Sequence, residues 1–90
     1  MMVYSISLSK EAEEYLSKLD TAEEQKIIKR LELLKDNPFH FLERKGNSWV
    51  LKVGQAGYRL AIDVDKNKKE IEVLFIQRRS KFYQEYDVNK

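Results

Sequence analysis

The chain has 90 residues, 42% of them apolar and 36% charged, with a formal net charge of +2, no cysteine and a single histidine. Such a length predicts one domain across residues 1–90, because a chain this small buries only about 60–65% of its unfolded surface. The missing cysteines exclude disulfides, thiolate nucleophiles and thiolate metal sites; no apolar run nears the roughly 20 residues of a membrane span, and no secretory leader opens the chain, so a cytoplasmic protein with no membrane partner is expected.

Residues 2–8 alternate Met2, Tyr4, Ile6 and Leu8 against Val3, Ser5 and Ser7, the pattern of a strand with one apolar face. Ser9 offers an N-cap, and Ala12, Tyr15, Leu16 and Leu19 recur at helical spacing, predicting an amphipathic helix over 10–19 that Asp20 closes. Thr21-Ala22-Glu23-Glu24 has the form of a capping box, with Thr21 as the cap and Glu24 returning to it. The helix that follows buries Ile27, Ile28, Leu31 and Leu34 and ends near Lys35, before Asp36-Asn37-Pro38. So short a connection predicts an antiparallel helical hairpin. Residues 38–46 read as a loop.

The clearest alternation lies between Trp49 and Val64. Trp49, Leu51 and Val53 alternate with Val50 and Lys52; after Gly54-Gln55-Ala56-Gly57, Tyr58, Leu60, Ile62 and Val64 alternate with Arg59, Ala61 and Asp63. This is a β-hairpin, and its register sends Lys52 and Arg59 to the face opposite the large apolar residues. After the polar turn 65–69, Ile71, Val73 and Phe75 alternate with Glu72, Leu74 and Ile76 in a last strand, and Ser80 is placed to cap one helical turn in the tail. The order β-α-α-β-β-β predicts an α+β domain, an antiparallel sheet of about four strands with a two-helix hairpin on one face.

Charge is unevenly spread. Residues 1–43 carry six Lys/Arg against nine Asp/Glu, whereas residues 44–90 carry eleven against six. A basic half containing the hairpin favours a polyanion partner, although charge kept for solubility reads the same way. His40 is alone in its loop, so zinc lacks ligands and no metal or cofactor is expected. No phosphate-cradling glycine loop and no histidine-based triad can be assembled either. What remains is Lys, Arg and Tyr chemistry on RNA, whose 2′-hydroxyl carries its own nucleophile. Arginines neutralise a phosphorane, a lysine either holds phosphate or acts as base, and tyrosine stacks on a base or moves a proton. Lys52, Arg59, Arg78 or Arg79, and Tyr83 supply these parts. Arg44, Lys45, Arg78 and Lys81 are further cations for holding RNA.

The segments LLKDNP, WVLKVGQAGYRLAIDV and FIQRRSKFY, in this order behind a strand and two helices, resemble the RelE family of type II toxin–antitoxin toxins over nearly the whole chain. The resemblance implies a RelE-like fold, ribosome-dependent cleavage of mRNA by 2′-hydroxyl attack leaving a 2′,3′-cyclic phosphate and a 5′-hydroxyl, and a RelB-like antitoxin as partner beside ribosome and mRNA. By position Lys52 resembles a family lysine of the central strand, Arg59 the arginine of a Tyr-Arg pair, Arg79 a basic residue four before the end tyrosine, and Tyr83 that tyrosine. Two positions depart: Val50 stands where several active members carry a second basic residue, and Gln77 where some carry arginine. ParE-like relatives share the fold and act on gyrase, so a non-cleaving or degenerate member that acts by binding is the alternative.

Overall fold

The computed structural model describes residues 3–90. Five strands form one sheet: β1 (Ser5–Leu8), β2 (Leu42–Lys45), β3 (Ser48–Val53), β4 (Tyr58–Asp65) and β5 (Glu70–Arg78), in the spatial order β1-β5-β4-β3-β2. β2 through β5 are antiparallel neighbours, and β1 alone runs parallel to its partner, β5. Helices α1 (Lys10–Ser17) and α2 (Thr21–Glu32) cover one face, and α4 (Arg79–Glu85) folds back over the other. Sequence alternation anticipates the α+β architecture, while the sheet has a fifth strand and one parallel pair.

Both differences have local causes. The segment read as a loop contains a one-turn helix, α3 (Pro38–Phe41), started by a buried Pro38 at its first position, followed directly by β2. Gly46-Asn47 is a two-residue hairpin loop between Lys45 and Ser48, with Gly46 at φ +57°. His40 therefore stands in α3 rather than in a loop. At the N-terminus the strand begins at Ser5, and Met2 lies outside the described residues.

The cap of α2 also sits one residue earlier than expected. Asp20, not Thr21, has extended backbone angles and accepts the amide of Glu23 at 2.9 Å. Aspartate and threonine both cap well, and the carboxylate adds a favourable charge at the helix start. Ser9 caps α1 as expected, accepting the Ala12 amide at 3.1 Å while donating its hydroxyl to the Leu74 carbonyl at 2.8 Å.

That carbonyl belongs to a bulge. Ala61 pairs with Phe75 and Ile62 with Val73, so Leu74 is an extra residue on β5. Beyond the bulge the side chains change faces: Ile71, Val73 and Ile76 lie in the helix-side core, whereas Phe75 joins the cluster beneath α4. Strict alternation had put Phe75 with Ile71 and Val73. The helix-side core gathers Ala12 and Leu16 of α1, Ile27 and Leu31 of α2 and Leu34 beyond it, against Leu51, Val53, Tyr58, Leu60 and Ile62. The smaller cluster on the other face is Val50, Ala61 and Phe82, flanked by Leu74, Phe75, Tyr86 and Val88.

Candidate functional site

The site is built at the tip of the β3–β4 hairpin. Lys52 and Arg59 are direct cross-strand partners, so both side chains leave the sheet on the α4 side. The turn between the strands is made of small residues. Gly54 has φ +78°, and a Cβ at Gly57 would collide with the Val53 carbonyl oxygen, so both positions demand glycine.

Arg59 is not the solvated cation that an open sheet face implies. Its residue is only 4% exposed, and its guanidinium folds along the turn: Nη1 donates to the carbonyls of Gly54 at 3.0 Å and Tyr58 at 2.9 Å, and Nη2 to Gln55 at 2.9 Å. Three of its five N–H donors are thereby used, and two remain for a ligand. Burying a guanidinium is tolerable only with such partners, which also hold it in place.

The tail completes the site. The backbone amide of Arg79 donates to the Gly57 carbonyl at 2.8 Å, which ties the start of α4 to the same turn. α4 is capped at Arg78 and runs for seven residues, so Ser80 lies inside it rather than at its cap. Arg79 and Tyr83 are four apart and share one side of α4, whereas Phe82 points down between Val50 and Ala61. Tyr83 is 45% exposed, its ring set edge-on against Phe82 at 4.9 Å.

A cavity of about 320 Å³ is lined by Lys45, Lys52, Gln55, Arg59, Arg79 and Tyr83. All four residues assigned to chemistry on sequence grounds thus meet there, and Lys45 joins them. The other three cations expected to hold RNA do not line it. Arg44 stacks over Trp49 at 5.0 Å, Arg78 stands 6.0 Å over the Tyr58 ring on the helix side, and Lys81 is exposed on α4. Of the two tail arginines, Arg79 is the one at the cavity.

Sequence reasoning missed Glu43. Its carboxylate accepts from Lys52 Nζ at 2.8 Å and stands 4.0 Å from Lys45 Nζ. The Lys52 hydrogen bond first, and then the charges of Lys52, Lys45 and Arg59, hold the Glu43 carboxyl below the usual carboxylate range. The signal was the Gly46-Asn47 hairpin loop, which makes the preceding four residues a strand and sends Glu43 and Lys45 to one face. Gln55 was passed over as an ordinary turn residue.

Val50 also changes meaning. It is fully buried beneath Phe82, opposite Ala61, so an ammonium here would enter an apolar cluster rather than the cavity. Gln77, the other departure, accepts the Tyr15 hydroxyl at 3.2 Å and donates to Glu85 at 3.0 Å, joining β5 to α1 and α4. Among the described residues no group of three His, Cys, Asp or Glu could hold a metal ion, and no helix is long and apolar enough to cross a membrane.

No family model matches the chain, and no curated protein matches it. Solved structures do. The RelBE2 toxin–antitoxin complex of Mycobacterium tuberculosis superposes with a TM-score of 0.76 at 16% identity, covering 89% of this chain and 95% of that one. The RelE–RelB complex of Pyrococcus horikoshii gives 0.75 at 19% identity, covering 90% and 100%. The isolated Escherichia coli RelE toxin gives 0.70 at 23% identity, covering 91% and 93%. The chain therefore has the fold of RelE toxins.

Proposed function

We propose that this RelE-fold chain is the toxin of a toxin–antitoxin pair, a metal-independent endoribonuclease that cuts mRNA on the ribosome and is restrained by a RelB-like antitoxin. The observation that carries the reading is the single cavity in which Lys52, Arg59, Arg79 and Tyr83 converge. In the reaction the ribose 2′-oxygen attacks the adjacent phosphorus, the bond to the 5′-oxygen breaks, and a 2′,3′-cyclic phosphate and a 5′-hydroxyl result. Arg59 and Arg79 face the charge of the phosphorane, and Tyr83 stacks on a neighbouring base. Lys52 is hydrogen-bonded to Glu43, which favours it as the phosphate clamp. The group ready to take the 2′-proton is then the Glu43 carboxylate, and the 5′-oxygen takes its proton from water.

Induction in cells tests this. Wild-type protein should arrest growth and leave cuts in ribosome-bound message that primer extension maps; Arg79→Ala and Tyr83→Ala should each lower cleavage by about 10²-fold, the usual cost of losing one group that stabilises the transition state. Arrest with intact message would favour the binding alternative.

Glu43 gives a second, pH-dependent expectation. With its carboxyl held low by Lys52, the pair persists at neutral pH, and the stability it contributes is present above the unfolded carboxylate range and lost as pH falls through the lowered folded value. Wild-type melting temperature should therefore drop more steeply on acidification than that of Glu43→Gln. At neutral pH the same substitution should tighten RNA binding, by releasing Lys52, and remove cleavage. Retained cleavage in Glu43→Gln would return the base role to Lys52.

A further inference from the structure

On the opposite side of the hairpin tip from the catalytic cavity lies a second cleft, of about 560 Å³, whose walls are Lys26, Lys29 and Arg30 of α2 with Glu23, Tyr58 and the turn residues Gly54, Ala56 and Gly57. Arg78, over the Tyr58 ring, adds a fourth cation beside it. One carboxylate, Glu23, stands among these cations, and it is occupied by Lys26 at 2.8 Å and by the Tyr58 hydroxyl at 3.0 Å. Burial and Glu23 push the Tyr58 hydroxyl up, so it stays a donor to that carboxylate.

Arg30 is set in advance. Its Nε donates to the Lys52 carbonyl at 3.0 Å and its guanidinium lies 5.3 Å over the Phe41 ring. An arginine so held loses little freedom when its remaining N–H groups take a phosphate. The same residue, Lys52, thus offers its ammonium to one cleft and its carbonyl to the anchor of the other. The Gly-Gln-Ala-Gly tip borders both clefts, with Gln55 in the wall of the first and Gly54, Ala56 and Gly57 in the wall of the second.

We propose that the α2 cleft is a second RNA site, which takes phosphates of the strand flanking the cleaved bond, so that single-stranded RNA straddles the hairpin tip. RNA as the ligand rests on the nuclease reading; the second site itself rests on the cleft's own geometry and charge.

The probe is a 12-nucleotide 2′-O-methyl oligouridine, which cannot be cut, titrated by fluorescence anisotropy against the full chain over a range of salt. The double variant Lys26→Gln/Lys29→Gln should bind about tenfold more weakly near 0.1 M salt, with the slope of log affinity against log salt reduced by about 1.4, since each lost phosphate contact on a single strand removes about 0.7. Both lysines are exposed, so the melting temperature should move little. Lys66→Gln/Lys68→Gln removes equal charge at the opposite end of β4 and should leave affinity within about twofold. Equal weakening by both pairs, or none by the α2 pair, overturns the second site. If Arg79→Ala alone weakens binding, the α2 site falls and the cavity reading stands. If only the α2 pair weakens it, the cavity reading falls and the second site stands.

Discussion

Phe82→Ala is expected to abolish RNA cleavage while leaving the sheet and its two long helices folded. Phe82 is fully buried, and its ring lies 5.6 Å from that of Tyr86 and 6.0 Å from that of Phe75. Removing a buried phenylalanine costs about 3–5 kcal/mol through lost transfer energy and the cavity left behind. The loss falls on the small cluster under α4, which shares no buried residue with the helix-side core, so the tail should detach before the domain melts. Arg79 and Tyr83 would leave with it. Hydrogen exchange should then show rapid exchange confined to residues 79–90 and slow exchange in β3, β4 and β5. Global unfolding, or cleavage at the wild-type rate, would contradict this account.

Arg59→Ala should cost both stability and activity. The guanidinium holds three carbonyls, those of Gly54 and Gln55 in the turn and of Tyr58 at the start of β4, and hydrogen bonds from a charged donor contribute about 1.5–3 kcal/mol each, less than additively when they share one group. A loss of about 3 kcal/mol corresponds to a fall of about 12–20 °C in melting temperature for a domain of this size. Growth of cells carrying Arg59→Ala would therefore report folding and chemistry together. Arg59→Lys separates them: it keeps the charge and offers up to three donors without the planar fork, so it should recover part of the stability and little of the cleavage. An Arg59→Ala protein as stable as wild type would show that the turn does not need its clamp.

The parts of this molecule legible in the sequence were those governed by near neighbours along the chain. The alternation around Gly54–Gly57 gave the hairpin, and with it the pairing of Lys52 and Arg59. The stripe Ile27, Ile28, Leu31 and Leu34 gave α2. What escaped depended on distant segments. Residues 70–78 carry apolar side chains in both phases, Ile71, Val73 and Phe75 in one and Leu74 and Ile76 in the other, so nothing local reveals that Leu74 is extruded and its carbonyl taken by Ser9, 65 residues earlier. Val50 looked like a missing cation because only the docked tail reveals Phe82 above it. Arg59 looked solvated because its partners are carbonyls, which every residue has and no sequence advertises. Glu43 was hidden by a strand of four residues that carries too little alternation to be recognised alone.

Loops are ordinarily where a protein accepts extra residues at little cost. The tip of the β3–β4 hairpin is an exception, since Arg59 grips Gly54 and Gln55 from within the turn and the Arg79 amide grips Gly57. One inserted residue would leave each grip a partner to find and move Arg79 away from Lys52. Descendants of this chain are accordingly free to lengthen the turn at 65–69, but not the four-residue span from Gly54 to Gly57.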